Sequence, residues 1–157
     1  MFKIIKADFK QEEHRRAFVS LIDEYALGDT GNGKPLPDEI KKKLVPGIRQ
    51  HKTACVYFAV YDGSIVGLAT CFTGYSTFSA AELINIHDLI ITKEYRRRGM
   101  AAALLEYIAD EAKAKRFCKV TLEVRCDNRA AIDLYAQQGF SPGPHTMYFL
   151  TKNLKGC

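Results

Sequence analysis

The sequence predicts a single α/β domain, and three features point to it. Leu89 to Ile91 is a short apolar run rich in β-branched residues, followed by a glycine-containing turn, a helix-patterned segment, and a strand in which Val120, Leu122 and Val124 alternate with Thr121 and Glu123. Two further apolar runs, Ala54–Val60 and Ser64–Thr73, flank Asp62-Gly63, a dipeptide that favours a tight hairpin. The chain has 157 residues, enough for one sizeable core, and shows no repeat, low-complexity tract or linker. One domain over residues 1–157 is the expectation.

Taken in order, Phe2–Ala7 alternates as a first strand. Between Lys10 and Tyr25, Phe18, Leu21, Ile22 and Tyr25 recur at helical spacing among charged residues. Gly28–Pro37 is punctuated by Gly, Asn and Pro and reads as a loop. A second helix starts near Pro37-Asp38 and ends near Pro46-Gly47 or a little later. Its Lys41-Lys42-Lys43 run reads as a solvated face. The hairpin strands follow, then a fourth strand, Leu83–Ile91. Ala101, Leu104, Leu105, Ile108 and Ala112 share one face of the next helix, with Glu106, Asp110, Glu111 and Lys113 between them. A last helix follows Asn128, and a final strand is expected near Thr146–Thr151.

Bulk properties narrow the class. A content of 47% hydrophobic and 26% charged residues is ordinary for a globular protein. No apolar run approaches the ~20 residues that span a membrane. The opening Met-Phe-Lys-Ile-Ile-Lys is too short and too charged for a secretory signal, so a cytoplasmic protein is expected. Cys55, Cys71, Cys118, Cys126 and Cys157 are scattered without CxxC spacing. They suggest reduced thiols rather than a disulfide framework, and no metal site is predicted. A net charge of +5 is compatible with an anionic ligand without indicating nucleic acid.

The turn Arg96-Arg97-Arg98-Gly99-Met100-Ala101-Ala102 carries the first functional signal. The opening N–H groups of a helix lack internal partners, and the helix dipole places positive charge there. Small residues at such a turn let an anion approach the backbone. The three arginines add forked donors suited to phosphate. A pyrophosphate is the predicted ligand. Gly28–Lys34 imitates part of a P-loop, but Pro35 stands where Ser or Thr is required and the stretch follows a helix, so it is read as a loop.

Two motifs in series carry a resemblance. Arg96-x-x-Gly99-x-Ala101 resembles the Arg/Gln-x-x-Gly-x-Gly/Ala signature of the GCN5-related N-acetyltransferase (GNAT) family. Asn128 and Tyr135, seven apart and ending in Gly139-Phe140, resemble that family's second signature. Tyr75-Ser76-Thr77-Phe78 with Ile86-His87-Asp88-Leu89 is also similar to the diamine (polyamine) acetyltransferase branch, with His87 standing where that branch has Glu. The resemblance implies a mixed, mostly antiparallel sheet flanked by helices. Strands 4 and 5 would be parallel and splayed, joined by a right-handed crossover through the helix after Gly99. It also implies a bulge in the fourth strand, which would reverse the faces of later residues.

The implied activity is acetyl transfer from acetyl-CoA, as cosubstrate, to a primary amine by direct attack in a ternary complex. On the resemblance, Leu89, Ile90 and Ile91 pair with the pantetheine arm. Arg96, Arg97, Arg98, Gly99, Met100, Ala101 and Ala102 hold the pyrophosphate. Asn128 caps its helix, touches the coenzyme, or both. Tyr135 acts as general acid toward the sulfur, since a phenol with pKa near ~10 donates without being ionised; a core aromatic is the other reading. His87 serves as base, with Asp88 attracting the ammonium or orienting the imidazole, or His87 is a satisfied sheet residue. Glu123 is a further candidate acid. Tyr75 and Phe78 line the acceptor site or pack as aromatics.

The expected partner is a small-molecule amine or diamine, with a homodimer as the expected assembly. Peptide N-termini, lysine side chains and aminoglycoside-type amines are alternatives, as is a sensor that binds acyl-CoA without turnover. A nucleic-acid role for Arg96–Arg98 and Lys41–Lys43 is disfavoured, because the arginines lie in the cofactor turn; neither nucleic acid nor membrane is an expected partner.

Overall fold

Asp62 and Gly63 both take left-handed backbone, with φ of 45° and 83°. That geometry closes a two-residue hairpin in register with the twist of its strands. It joins β2 (Ala54–Tyr61) to β3 (Ser64–Ser76) in a computed structural model that describes residues 1–145 and 147–154. β1 (Phe2–Lys6) pairs antiparallel with β2, and β4 (Ala81–Ile91) antiparallel with β3. β5 (Val120–Leu122) lies parallel to β4, so the sheet order is β1-β2-β3-β4-β5. The crossover runs through α3 (Met100–Ala114). α1 (Glu12–Leu27), α2 (Asp38–Gln50) and α4 (Arg129–Gln137) complete the fold.

Alternation in the strands divides the core between two faces. Tyr57, Ala59, Ala69, Cys71, Ile84 and Ile86 pack with Leu104, Leu105 and Ile108 of α3, and Leu134 and Tyr135 of α4 extend that layer. Val56, Phe58 and Leu68 pack on the other face against Phe18 and Leu21 of α1, with Leu44, Val45 and Ile48 of α2 beside them. The apolar stripes read from α1 and α3 are therefore the buried ones.

The expected bulge in the fourth strand is present. Thr70 pairs with Asp88 while Cys71 pairs with Ile86, so His87 is the extra residue. Its effect is visible in the core. Ile84 and Ile86 face the α3 layer, but Ile90, which uninterrupted alternation would put beside them, faces α1.

α2 ends at Gln50, a little past Pro46-Gly47 as expected, because proline removes only one of the helix's internal bonds there. Two other boundaries differ from expectation. β5 stops at Leu122 instead of Val124. Its partner register ends at Ile86, immediately before the bulge turns β4 away. The final strand is not formed over Met147–Thr151: these residues are irregular, and Met147, Tyr148, Phe149 and Leu150 are exposed. The three-residue β5 offers too short an edge to template another strand. Thr146 lies outside the described residues. No described helix is long and apolar enough to cross a membrane.

Gly67 sits where β3 meets the end of β4. A Cβ there would run into the Ile91 side chain and lie 2.8 Å from the Ile90 carbonyl oxygen. Gly67→Ala is expected to cost roughly 1–3 kcal/mol by overpacking. A lower denaturant midpoint measures this, and an unchanged midpoint contradicts the packing described.

Candidate active site

β4 and β5 are bonded only over Ile84–Ile86 and Val120–Leu122. Past that point β4 still pairs with β3 through Leu89, Ile90 and Ile91, but its other edge has lost its partner. The backbone groups on that edge face a gap. The gap is part of a cleft of about 1170 Å³, walled by Ile86, His87, Leu89, Ile90 and Ile91 on one side. Leu122, Glu123, Val124, Asn128 and Tyr135 form the other wall.

At one end the cleft meets the start of α3. Gly99 takes a left-handed φ of 81°, and Arg97 one of 60°, which folds the turn back before the helix. Ala103 donates the first intrahelical bond, to the Gly99 carbonyl at 3.0 Å. The N–H groups of Met100, Ala101 and Ala102 precede that bond and form the donor end of the helix. Nothing lies within 4 Å of where a Gly99 Cβ would sit, so the backbone here adjoins open space. Gly99, Met100, Ala101 and Ala102 all line the cleft, as do Arg96 and Arg97.

The arginines divide their work. Arg96 Nε donates to the Ile91 carbonyl at 2.8 Å, joining the turn to the end of β4. Arg98 turns away from the cleft wall: its guanidinium stacks 5.2 Å from the Tyr61 ring and 5.4 Å from Tyr95. It contributes to the turn's structure. Arg97 is exposed at the rim, where its charge is available to an anion.

Tyr135 lies half-buried in the cleft wall, edge-on to Phe140 at 5.9 Å. Burial first, and Tyr25 second, push its phenol above the usual tyrosine value, so it stays protonated at neutral pH. Both readings of this residue hold: it packs on the core and faces the cleft. Asn128 accepts from the Ala131 N–H at 3.3 Å, capping α4, and also lines the cleft. His87 is exposed at the wall, with its ring 5.5 Å from Phe72 in edge contact.

Asp88 does not line the cleft. It lies on the face covered by α1, opposite Thr70 and two residues before Ile90. Burial pushes its carboxyl above the ordinary value, against the opposing influence of His87. The buried Thr70 hydroxyl faces it without reaching strict hydrogen-bond geometry. Glu123 is exposed at the cleft mouth. Tyr75 and Phe78 sit exposed toward the β3–β4 hairpin tip, away from the cleft.

Several contributors carried no sequence signal. Tyr25 reads only as part of the apolar stripe of α1, yet it lines the cleft, and both burial and the nearby Asp88 push its phenol up. Glu24 accepts from the Thr92 hydroxyl at 3.0 Å and from the Lys93 N–H at 3.3 Å, tying α1 to the end of β4. Arg125 is held by Asp127 at 2.6 Å and donates to the Asp29 carbonyl at 3.3 Å. It draws the Gly28–Pro37 loop over the cleft, where Thr30 is part of the lining. A glycine- and proline-rich loop directly after Tyr25 was the available hint.

A sheet opened between two parallel strands, with the donor end of a helix at one end of the gap, is an α/β arrangement suited to a long anionic ligand. The sequence profile of the acetyltransferase (GNAT) family matches residues 10–140, and the chain belongs to that family. It is 38% identical over 56 residues to the ribosomal protein bS18 alanine N-acetyltransferase of Escherichia coli strain K12, covering 36% of this chain and 38% of that protein. A solved probable acetyltransferase superposes with a TM-score of 0.83 at 20% identity, over 98% of this chain and 99% of that one. An aminoglycoside acetyltransferase from an uncultured soil metagenomic sample, in complex with trehalose, superposes at 0.78 and 18% identity, over 98% and 97%. These two superpositions share the fold.

The state of Asp88 has a measurable consequence. Its folded-state pKa lies above that of an ordinary aspartate, so the folded protein holds the proton more tightly than the unfolded chain. Stability must then fall as pH rises from about 4 through the raised value. Asp88→Asn is expected to flatten that part of the melting-temperature profile and raise stability at neutral pH. A profile identical to wild type there contradicts a buried, destabilising carboxylate.

Proposed function

We propose that this protein is an acetyl-CoA-dependent N-acetyltransferase acting on a primary amine, a small amine or diamine being the favoured acceptor. The observation that carries this is the continuity of the cleft: the open edge of β4, the donor end of α3 and the Tyr135 phenol lie along one wall-to-wall space. Its parts fit acetyl-CoA. The Met100–Ala102 N–H groups and Arg97 suit the pyrophosphate. The unpaired edge at Leu89–Ile91 suits the amides of the pantetheine arm, and a β4 N–H polarises the thioester carbonyl.

The residues then divide the chemistry. Tyr135, kept protonated by its surroundings, donates to the departing sulfur. His87, exposed on the cleft wall, receives the ammonium proton directly or through water. Asp88 lies behind the strand and supplies negative charge that favours a cationic acceptor. No cysteine lines the cleft among the described residues, which supports direct attack within a ternary complex.

A second reading is supported by the E. coli relative, whose name gives a ribosomal-protein alanine as acceptor. A peptide α-amine would occupy the same cleft mouth. Thiol release from acetyl-CoA against polyamines, alanyl peptides and aminoglycosides separates the readings. Turnover with small amines is expected. Turnover confined to alanyl peptides would replace that acceptor, and binding without release for any amine would leave a sensor. With the best acceptor, Tyr135→Phe should lower kcat by about 10²-fold with little change in acetyl-CoA affinity. An undiminished kcat removes Tyr135 from the acid role.

A further inference from the structure

A second reactive arrangement lies outside the cleft. Cys55 of β2 and Cys71 of β3 are directly opposite each other in the sheet. Both belong to the α3 face of the core, Cys71 fully buried and Cys55 half-buried beside it. Thr73 N–H donates to the Thr53 carbonyl at 2.9 Å, so Thr53 and Thr73 form a hydrogen-bonded pair. Two residues further on, Cys55 and Cys71 form the same kind of pair. Such pairs have Cα atoms about 5.5 Å apart, inside the span a disulfide bridges. They also keep side chains farther apart than the intervening pairs do. A disulfide here closes under strain, and strained disulfides are the readily reduced ones.

The surroundings favour one sulfur as the attacking thiolate. The Tyr57 hydroxyl is buried and has no hydrogen-bond partner of strict geometry. It lies on the same face of β2 as Cys55, two residues away. The adjacent Cys71 thiol, first, and then the Tyr57 hydroxyl favour the ionised form of Cys55, with Lys115 and Lys6 nearby. Together they hold the Cys55 thiol below its usual range, while the same contact and its deep burial push Cys71 up. Glu111 near Tyr57 and Asp88 near Cys71 are the facing acids, and both oppose ionisation of the groups they face. Cys55 is thus the accessible, ionisable member, and Cys71 the sheltered one beside it.

We propose that Cys55 and Cys71 form a peroxide-responsive thiol pair that closes reversibly into a cross-strand disulfide. The Cys55 thiolate attacks one peroxide oxygen, becoming a sulfenic acid and releasing hydroxide. The Cys71 sulfur then attacks the sulfenic sulfur and forms the S–S bond; the hydroxide that leaves takes the Cys71 proton and departs as water, and the hydroxide from the first step takes up the proton that Cys55 had given to solvent. Two electrons pass from the thiols to one peroxide, which leaves as two molecules of water.

The test uses the full chain, treated with equimolar hydrogen peroxide, alkylated and cleaved with trypsin. Residues 53–93 contain no internal Lys or Arg, so both cysteines fall in one peptide. That peptide is expected to become lighter by two hydrogens and lose both alkylation sites before the exposed Cys118 or Cys126 reacts. Reduced glutathione should restore it. Cys71→Ala should stop the reaction at a dimedone-reactive Cys55, and Cys55→Ser should leave Cys71 reduced. The wild-type peptide decides the matter even where a core variant folds poorly. Two thiols still alkylatable after Cys118 or Cys126 has oxidised would overturn the proposal. So would sulfinic oxygens added without loss of the two hydrogens, or a disulfide that glutathione leaves intact.

Discussion

One extra residue in β4 sets the geometry on which the cleft depends. With His87 unpaired against β3, the strand bends, its faces exchange, and its bonds to β5 end at Ile86. Without that change Leu89–Ile91 would continue to pair with β5, and the open edge would not exist. Asp88 would also stand on the other face. The bulge therefore creates the gap, presents His87 at its wall, and buries Asp88 behind it under α1. The cost of a broken ladder is offset by Ile84 and Ile86 packing on α3 while Ile90 packs on α1.

The rest of the site is braced against this opened strand. Arg96 holds the turn to the Ile91 carbonyl, and Glu24 holds α1 to Thr92 and Lys93. The first contact acts on Ile91, in the last β3–β4 pair, and the second on the residues just beyond it, where a strand end would otherwise fray. Arg98 adds a stacked anchor on Tyr61 and Tyr95, from the opposite side of the turn. The positive φ values at Arg97 and Gly99 are thus held from three directions. A donor array fixed before ligand arrives loses little entropy on binding, which is the physical value of the bracing.

Much of this was legible in the residues, and the reasons for the remainder are local. The hairpin was readable because Asp62-Gly63 has few conformations open to it. α3 and its start were readable because the apolar stripe and Gly99 agree. Which arginine of three faces outward was not, since that depends on Tyr61, a strand residue distant in sequence. Tyr25 was hidden because a half-buried tyrosine reads as core in a helical stripe, and its second role arises only when α4 brings Tyr135 near. A final strand was expected near Thr146–Thr151, where Met147 to Leu150 are all apolar, but pairing needs an edge that the short β5 does not offer. The bulge came from resemblance to a family. No single residue between Leu83 and Ile91 announces it.

The most direct measurement of the central claim is amide hydrogen exchange with and without coenzyme A. The account places the ligand along the open edge of β4 and against the first turn of α3. Coenzyme A should therefore slow exchange in peptides covering Leu89–Ile91 and Arg97–Ala102, leaving the β2–β3 hairpin at Asp62-Gly63 unchanged. Protection that appears elsewhere while these two stretches exchange as before would contradict the placement of the ligand and the role assigned to the bulge.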